Sequence, residues 1–149
     1  MTVALTSIRI STDFDSGNIQ VLDASDAYQL LLAINPDTHS PHFQWFHFKA
    51  EGMHVGHTHT FRLSNAGKSS YKHAWSGYNA VASYDHVHWF RVPTRFDGEI
   101  LHISLETREK HAWFAYFEPY SRERHDWLIE RALNRTDTQL LATGKSVEG

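Results

Sequence analysis

The sequence contains no cysteine and no long apolar run, and each absence excludes a class of protein. Without cysteine there is no disulfide framework and no thiolate metal site, which is compatible with a reducing compartment. No apolar stretch approaches the roughly 20 residues of a membrane-spanning helix. The start Met1–Leu5 also lacks the charged region of a secretory signal. We therefore expect a cytoplasmic protein that does not contact a membrane.

The chain also lacks an excess of positive charge. It carries 14 Lys and Arg against 17 Asp and Glu, a formal net charge of -3, which provides no basic field for a phosphate backbone. Nucleic acid is therefore not an expected partner. The 149 residues are 41% hydrophobic and 13% aromatic, which is enough to bury a core in one domain and to leave room for an appendage.

The first 120 residues follow the pattern of short strands separated by turns. Leu30, Leu32 and Ile34 alternate with other residues, and Leu101 to Leu105 shows the same period of two, which is typical of strands. The run from Phe43 to Phe48 is aromatic on both faces, which favours a strand that is covered on both sides. Asp97 and Gly98 predict a hairpin between Arg91-Val92 and Ile100-Leu101. The prediction is an all-β, antiparallel sandwich over residues 1–120.

The period changes after Pro119, where a single helix is predicted. Apolar residues recur at intervals of three and four between His125 and Leu133, which places them on one helical face. Ser121 is a suitable N-cap, so we predict a linking helix over residues 121–136. Thr138 to Ala142 then has the pattern of a new strand, and the chain breaks off in a turn. We interpret residues 137–149 as the truncated start, with the first strand, of a missing α/β domain.

Twelve histidines raise the question of a metal site. His57 with His59, and His86 with His88, could each present two imidazoles on one strand face. A cupin-like site would also need a carboxylate about four residues beyond the first pair, where the sequence has only Phe61 to Ser64. No histidine has a glutamate three residues later, so the close ligand pairs of hydrolytic zinc sites are absent. We expect histidines on polar faces, no metal site and no catalytic residue in this chain.

Aromatic and arginine residues are the remaining candidates for a functional surface. One loop carries Tyr71, Trp75 and Tyr78, which could stack on a sugar or contact a second protein surface; the residues alone favour neither. Tyr120, Arg122, Arg124 and His125 surround the predicted start of the helix. They could form an interface or simply a solvated helix end. We take both groups together as candidates for an interface or for control of substrate access.

Eight local strings along the chain carry a family resemblance through their order and spacing. They are Phe14 to Ile19, Phe43 to Phe48, Ser70-Tyr71 with Trp75 to Tyr78, Ala82 to Asp85, Trp89 to Thr94 with Asp97-Gly98, Tyr116 to Ser121, Glu123 to His125, and Thr143 to Gly149. In this order they resemble the amino-terminal domain of the cytosolic carboxypeptidases, a branch of the funnelin-type zinc carboxypeptidases. The strings cover nearly the whole chain, and eight in register make coincidence improbable.

The resemblance implies a β-sandwich that packs beside a zinc carboxypeptidase domain of the same polypeptide. That enzyme would remove carboxy-terminal residues from peptides, and its zinc ligands would lie beyond residue 149. No zinc ligand, substrate-clamping arginine or general base can be carried over to this chain. On its own the chain is therefore expected to be inactive and to bind no cofactor. Its expected role is to support the catalytic domain or to shape access to its cleft.

Two alternatives remain open at the level of the sequence. The chain could be a free-standing β-sandwich module that binds carbohydrate or peptide through the loop from Tyr71 to Tyr78. It could also be a cupin-like metalloenzyme that uses His57, His59 and either His86 or His88. Aromatic surfaces left bare by a missing partner would favour self-association, so a homo-oligomer is a further expectation.

Overall fold

The computed structural model describes residues 7–146, and the chain divides into two compact units between Pro119 and Tyr120. From residue 7 onwards, the first unit contains ten strands in two five-stranded sheets. The strands are β1 Arg9–Ser11, β2 Gln20–Asp23, β3 Gln29–Ala33, β4 His47–Glu51, β5 Thr58–Leu63, β6 Val81–Ser83, β7 Phe90–Arg91, β8 Thr94–Phe96, β9 Leu101–Glu106 and β10 His111–Ala115. Two 3₁₀ helices, Ala66–Lys68 and Lys72–Trp75, lie between β5 and β6.

One sheet has the strand order β1-β4-β10-β6-β7, and the other has the order β2-β3-β5-β9-β8. Every pair of neighbours is antiparallel except β3 and β5, where Gln29 lies opposite Thr60 in parallel register. The exception arises because the chain crosses to the other sheet as β4 before it returns as β5. The fold is the predicted all-β sandwich, with one parallel pair in it.

The core lies between the two sheets, and its centre is aromatic. The ring centroids of Phe48 in β4 and Phe61 in β5 are 5.3 Å apart, and those of Phe61 and Phe114 in β10 are 4.5 Å apart. In β9 the residues Leu101, Ile103 and Leu105 are buried, whereas the alternate positions are half-buried or exposed. The alternation of apolar residues in the sequence therefore predicted correctly which face of β9 packs against the core.

The aromatic run from Phe43 to Phe48 is covered on both faces, as predicted, although the strand begins only at His47. Phe46 and Phe48 are fully buried in the core. His47 points to the other face of the sheet and is also fully buried. Phe14 and His86, from two loops, lie against its ring, with centroids 4.7 and 5.2 Å away. These loops form a second, smaller core on the outside of the sheet.

Two details of the predicted secondary structure were wrong. The hairpin at Asp97-Gly98 joins β9 to β8, Thr94–Phe96, and not to Arg91-Val92, because the chain turns at Pro93 between β7 and β8. The expected strand from Thr138 to Ala142 is also not formed, since residues 138–146 contain neither helix nor strand. Without a neighbouring strand, its backbone groups have no ladder to join.

In the second unit, residues 120–146 contain one helix, α1 Arg122–Leu133, close to the predicted range. Ser121 is its N-cap, and its hydroxyl accepts a hydrogen bond from the Arg124 N–H at 3.3 Å. Glu123 and Arg131 occupy the first and last turns, where their charges suit the helix dipole. None of the described helices is both long enough and apolar enough to span a bilayer.

Candidate functional site

The loop that carries Tyr71, Trp75 and Tyr78 does not form one aromatic surface. Trp75 is 1% exposed, and its indole N–H donates to the Ala66 carbonyl at 3.0 Å and to the Ser69 hydroxyl at 2.8 Å. This corrects the expectation that Trp75 meets a partner, because its side chain has no exposed surface to offer. It is a core residue that anchors the loop.

Tyr78 supports the same loop from the side. Its ring packs on those of Trp75 and Tyr116 at 5.2 and 5.1 Å, and its hydroxyl donates to the Tyr116 carbonyl. Burial of the hydroxyl raises the pKa of Tyr78 well above its usual value. Only Tyr71 is strongly exposed, at 71%. The loop therefore lacks the set of exposed rings on which a sugar would stack.

The other predicted group forms a cluster at the start of α1. The Arg124 guanidinium lies 5.8 Å from the centroid of the Tyr120 ring, and the His125 ring lies 6.2 Å from it. Arg122 faces Asp126 one turn later, with Nε and Oδ2 3.8 Å apart. All four predicted residues are exposed, so the cluster offers aromatic and cationic groups at the surface of its own unit.

The histidine pairs that the sequence suggested as metal ligands are separated in the fold. His57 is exposed, whereas His59 is fully buried. The His59 Nδ1–H donates to the Ala27 carbonyl at 2.7 Å, and its Nε2 accepts from the His54 N–H at 3.0 Å. His59 is thus not the polar-face residue that we expected. Within residues 7–146, no group of three His, Asp or Glu side chains could hold a metal ion.

The second suggested pair is also split. His88 is exposed and bonds the Asp85 carboxylate at 2.6 Å, and this contact raises the pKa of His88. His86 instead approaches His47, with their Nε2 atoms 3.2 Å apart. The Ser16 hydroxyl lies 3.0 Å from the other ring nitrogen of His47. Sequence reasoning missed this pair, and its only local signal was the aromatic residue Trp45 two positions before His47.

We call the set Phe14, Trp45, His47, His86, Trp89 and Trp113 the histidine–aromatic cluster. The His86 ring stacks on Trp113 at 5.0 Å, and Trp89 lies 5.7 Å from both imidazoles. Desolvation in this setting and, to a smaller extent, the neighbouring His86 lower the pKa of His47 to about 4. His47 is therefore neutral at physiological pH.

A cleft of about 320 Å³ lies beside this cluster and shares Trp45 with it. Asn18 holds one wall together, since its side-chain NH₂ donates to the Asn35 and Trp45 carbonyls. The Trp45 indole N–H donates to the Ser16 carbonyl at 2.8 Å. The cleft is lined by Asn18, Asn35, Asp37, His42, Phe43, Gln44, Trp45, Ser70 and Tyr71. Stretches around Asn18, Trp45 and Tyr71, which lie far apart in the sequence, thus line one cleft.

A protein-family model matches most of the β-sandwich unit. The model of the cytosolic carboxypeptidase N-terminal domain matches residues 10–117, which includes every strand except the first residue of β1. The chain belongs to this family. Its β-sandwich unit is thus a cytosolic carboxypeptidase N-terminal domain, and the lining of the cleft lies entirely inside the matched region.

Solved metallo-carboxypeptidases have the same structure over nearly the whole chain. The enzyme of Pseudomonas aeruginosa, solved with (2-guanidinoethylmercapto)succinic acid, is 60% identical, with a TM-score of 0.91 over 95% of this chain. That of Burkholderia cenocepacia is 35% identical, with a TM-score of 0.91 over 96%. Cytosolic carboxypeptidase 1 of Xenopus laevis is 30% identical over 95 residues, which are 58% of this chain and 8% of that protein. The chain spans only 38% and 37% of the two bacterial proteins.

Proposed function

We propose that this chain is the amino-terminal accessory domain of a zinc metallocarboxypeptidase that hydrolyses carboxy-terminal residues of peptides in the cytoplasm. The observation that supports this most strongly is the match to the Pseudomonas aeruginosa enzyme, which covers 95% of this chain and 38% of that one. The partner is the remaining catalytic part of such an enzyme. The domain supports this part or controls access to its cleft.

The zinc chemistry is assigned to the catalytic part and not to this chain. The residues that the structure describes include no set of three side chains fit to hold a metal ion. The buried His59 has both ring nitrogens engaged with backbone groups, so it is not a free ligand. Bound zinc would polarise the scissile carbonyl and activate water in the catalytic part. This chain packs against the catalytic part and shapes the access to its cleft.

Five of the predicted residues remain as candidates for contact with the catalytic part. They are exposed, and they are Tyr71, Tyr120, Arg122, Arg124 and His125. Tyrosine and arginine are enriched in protein interfaces because one side chain combines a large contact area with hydrogen bonding. Trp75 and Tyr78 would act indirectly, by holding the loop that presents Tyr71.

A chimera tests the proposal. Residues 1–149 would replace the matched 38% of the Pseudomonas aeruginosa enzyme, and carboxypeptidase activity and bound zinc would be measured. We expect an active chimera with about one zinc per chain, and no stoichiometric zinc in the isolated 149-residue chain. A chimera that folds but has lost all activity, or zinc bound tightly by the isolated chain, would contradict the accessory role.

Variants of the chimera test the proposed contact residues. The double variant Tyr71→Ala with Tyr120→Ala should lower the melting temperature of the chimera but not that of the isolated chain. The matched control is Val87→Ala, at a residue that is 68% exposed and outside the candidate set. Equal effects of the double variant on the chimera and on the isolated chain would point to a role in the fold of the domain alone.

A further inference from the structure

The cleft next to Trp45 combines aromatic rings with a single acidic side chain. Phe43, Trp45 and Tyr71 line it together with Asp37, and its volume is about 320 Å³. Phe43 and Trp45 are half-buried and Tyr71 is 71% exposed, so a ligand can reach this lining from solvent. Asp37 is exposed. It is the only Asp or Glu among the described residues that line the cleft, and they include no Lys or Arg.

The charge of Asp37 is not balanced within the described part of the chain. Its Oδ1 accepts a hydrogen bond from the Thr38 backbone N–H at 2.9 Å. Its own backbone N–H donates to the His42 carbonyl at 2.7 Å, so a turn holds this residue in place. None of the ion pairs found among residues 7–146 includes Asp37. The carboxylate is therefore available to a cation from outside the domain.

The rings of the cleft lack a cation that other aromatic residues of the chain receive. Three rings carry a Lys or Arg side chain at 4.5 to 5.8 Å from the centroid: Trp113 with Lys49, Trp127 with Arg131, and Tyr120 with Arg124. None of the described cationic side chains lies over Phe43, Trp45 or Tyr71 in this way. Because the face of an aromatic ring attracts positive charge, these rings offer the same attraction to an external cation.

These features together favour a cationic side chain over other ligands. An anionic group would meet the Asp37 carboxylate as a like charge, with no cation beside it. A purely apolar side chain would cover the rings but would also desolvate this carboxylate without a partner. A guanidinium or ammonium group can bind the carboxylate while its alkyl stem and its charge lie against the rings.

The cleft lies close to the point where the chain leaves the sandwich unit. The ring of Phe117 is 4.9 Å from that of Trp45, and the unit ends two residues later at Pro119. The matched family domain is amino-terminal, and the chain spans only 38% and 37% of the two bacterial enzymes, so most of such an enzyme follows it. A catalytic part attached there is held near the cleft at a high effective concentration.

We propose that this cleft binds an arginine or lysine side chain of the catalytic part, with the cation on the Asp37 carboxylate and the stem against Trp45 and Tyr71. The occupant rests on the proposed function, whereas the preference for a cation rests on the cleft itself. The isolated chain therefore tests the ligand class, and the chimera described above tests the occupant.

In the first experiment the isolated chain is titrated with N-acetyl-L-arginine amide at low ionic strength, and the backbone amide NMR signals of residues 42–45 and 70–72 are followed. We expect saturable shifts with a dissociation constant of about 1–10 mM. The neutral analogue N-acetyl-L-norleucine amide should not saturate the cleft. Asp37→Asn, which keeps an oxygen for the Thr38 N–H, should weaken binding about three- to fivefold.

Asp26→Asn is the matched control for this titration. Asp26 is also exposed and also accepts a backbone N–H, that of Tyr28, but it does not line the cleft. Its replacement should leave the binding of the arginine derivative unchanged. No saturable binding to the isolated chain, equal binding of the norleucine derivative, or equal effects of Asp37→Asn and Asp26→Asn would overturn the proposed ligand class.

The second experiment repeats the titration on the chimera. The catalytic part should fill the cleft, so the arginine derivative should cause no shifts at residues 42–45 and 70–72. Asp37→Asn should lower the melting temperature of the chimera by about 1–3 °C but not that of the isolated chain. Binding at the cleft of an active chimera would overturn the occupant and leave the proposed function standing. An inactive chimera would overturn the proposed function and, with it, the occupant.

Discussion

The Nε2 atoms of His47 and His86 lie 3.2 Å apart, although the two residues are 39 positions apart in the sequence. At this distance one imidazole N–H donates a hydrogen bond to the other ring nitrogen, so only one of the two facing Nε2 atoms carries a proton. His47 is fully buried, and Phe14, Trp45 and Trp89 pack around it. The contact therefore ties the loop that carries His86 to the outer face of the sheet, at a position where burial favours the neutral form of His47.

The burial of His47 makes the stability of the domain dependent on pH, and the neighbouring His86 adds to the effect. The folded-state pKa of His47 is lowered to about 4 from its ordinary 6.5, so the unfolded chain binds more protons between these values. Stability is therefore complete above pH 6.5 and falls as the pH drops towards 4. We expect a loss of about 2 kcal/mol between pH 7 and pH 5, measured by urea unfolding.

Variants at His47 and at an exposed histidine test this prediction. His86 opposes protonation of His47, whereas Asp15 favours it. His47→Gln should remove most of the pH dependence in this range and lower stability at pH 7. His57→Gln, at an exposed position, should keep the full dependence. An unchanged pH profile in His47→Gln would show that other groups cause the effect.

The sequence predicted what local periodicity controls and missed what depends on contacts between distant loops. Leu101 to Leu105 alternate because one sheet face is buried, and α1 follows from Ser121 and the spacing of its apolar residues. The approach of His86 to His47 also needs a positive φ of 63° at His86. Hydrophobic periodicity in the sequence does not predict such a backbone conformation. Trp75 stands among polar residues, so its burial under the loop could not be read from its neighbours.

The sequence stretches that form the candidate cleft were predicted, but their proximity in the fold was not. The stretches around Asn18, Trp45 and Tyr71 were each singled out, and the structure brings them to one cleft. Their meeting depends on the pairing of Asn18 with His47 across an isolated bridge, a contact between residues far apart along the chain.

His59 is a structural residue, and its replacement should destabilise the fold. Phenylalanine fills a similar volume but removes both ring nitrogens, so His59→Phe leaves the Ala27 carbonyl and the His54 N–H without partners. We expect a loss of about 2–4 kcal/mol in urea unfolding at pH 7. His57→Phe, two residues earlier at an exposed position, should change stability by less than about 0.5 kcal/mol. Equal effects of the two variants would argue against this role.

Trp75 should likewise matter to the isolated chain, without any partner. Trp75→Phe retains a buried ring but leaves the Ala66 carbonyl and the Ser69 hydroxyl without the indole N–H. The expected loss in unfolding free energy is about 1–3 kcal/mol. Tyr71→Ala in the same loop removes an exposed ring and should cost less than about 0.5 kcal/mol. If Trp75→Phe left the isolated chain as stable as before, a role for Trp75 outside the core would have to be sought.

Gly17 holds the turn below Trp45 because no side chain fits there. A Cβ at this position would lie 2.1 Å from the Thr12 carbonyl oxygen, and backbone atoms cannot give way cheaply. The positive φ of this turn falls on Ser16, at 62°, so the glycine is required by a close approach and not by its own dihedral angle. Gly17→Ala should therefore displace the Ser16 carbonyl from the Trp45 indole, with a loss of about 2 kcal/mol or more and a change in tryptophan fluorescence. Gly144→Ala, where a Cβ meets no atom within 4 Å, is the control, and a comparable loss there would refute this explanation.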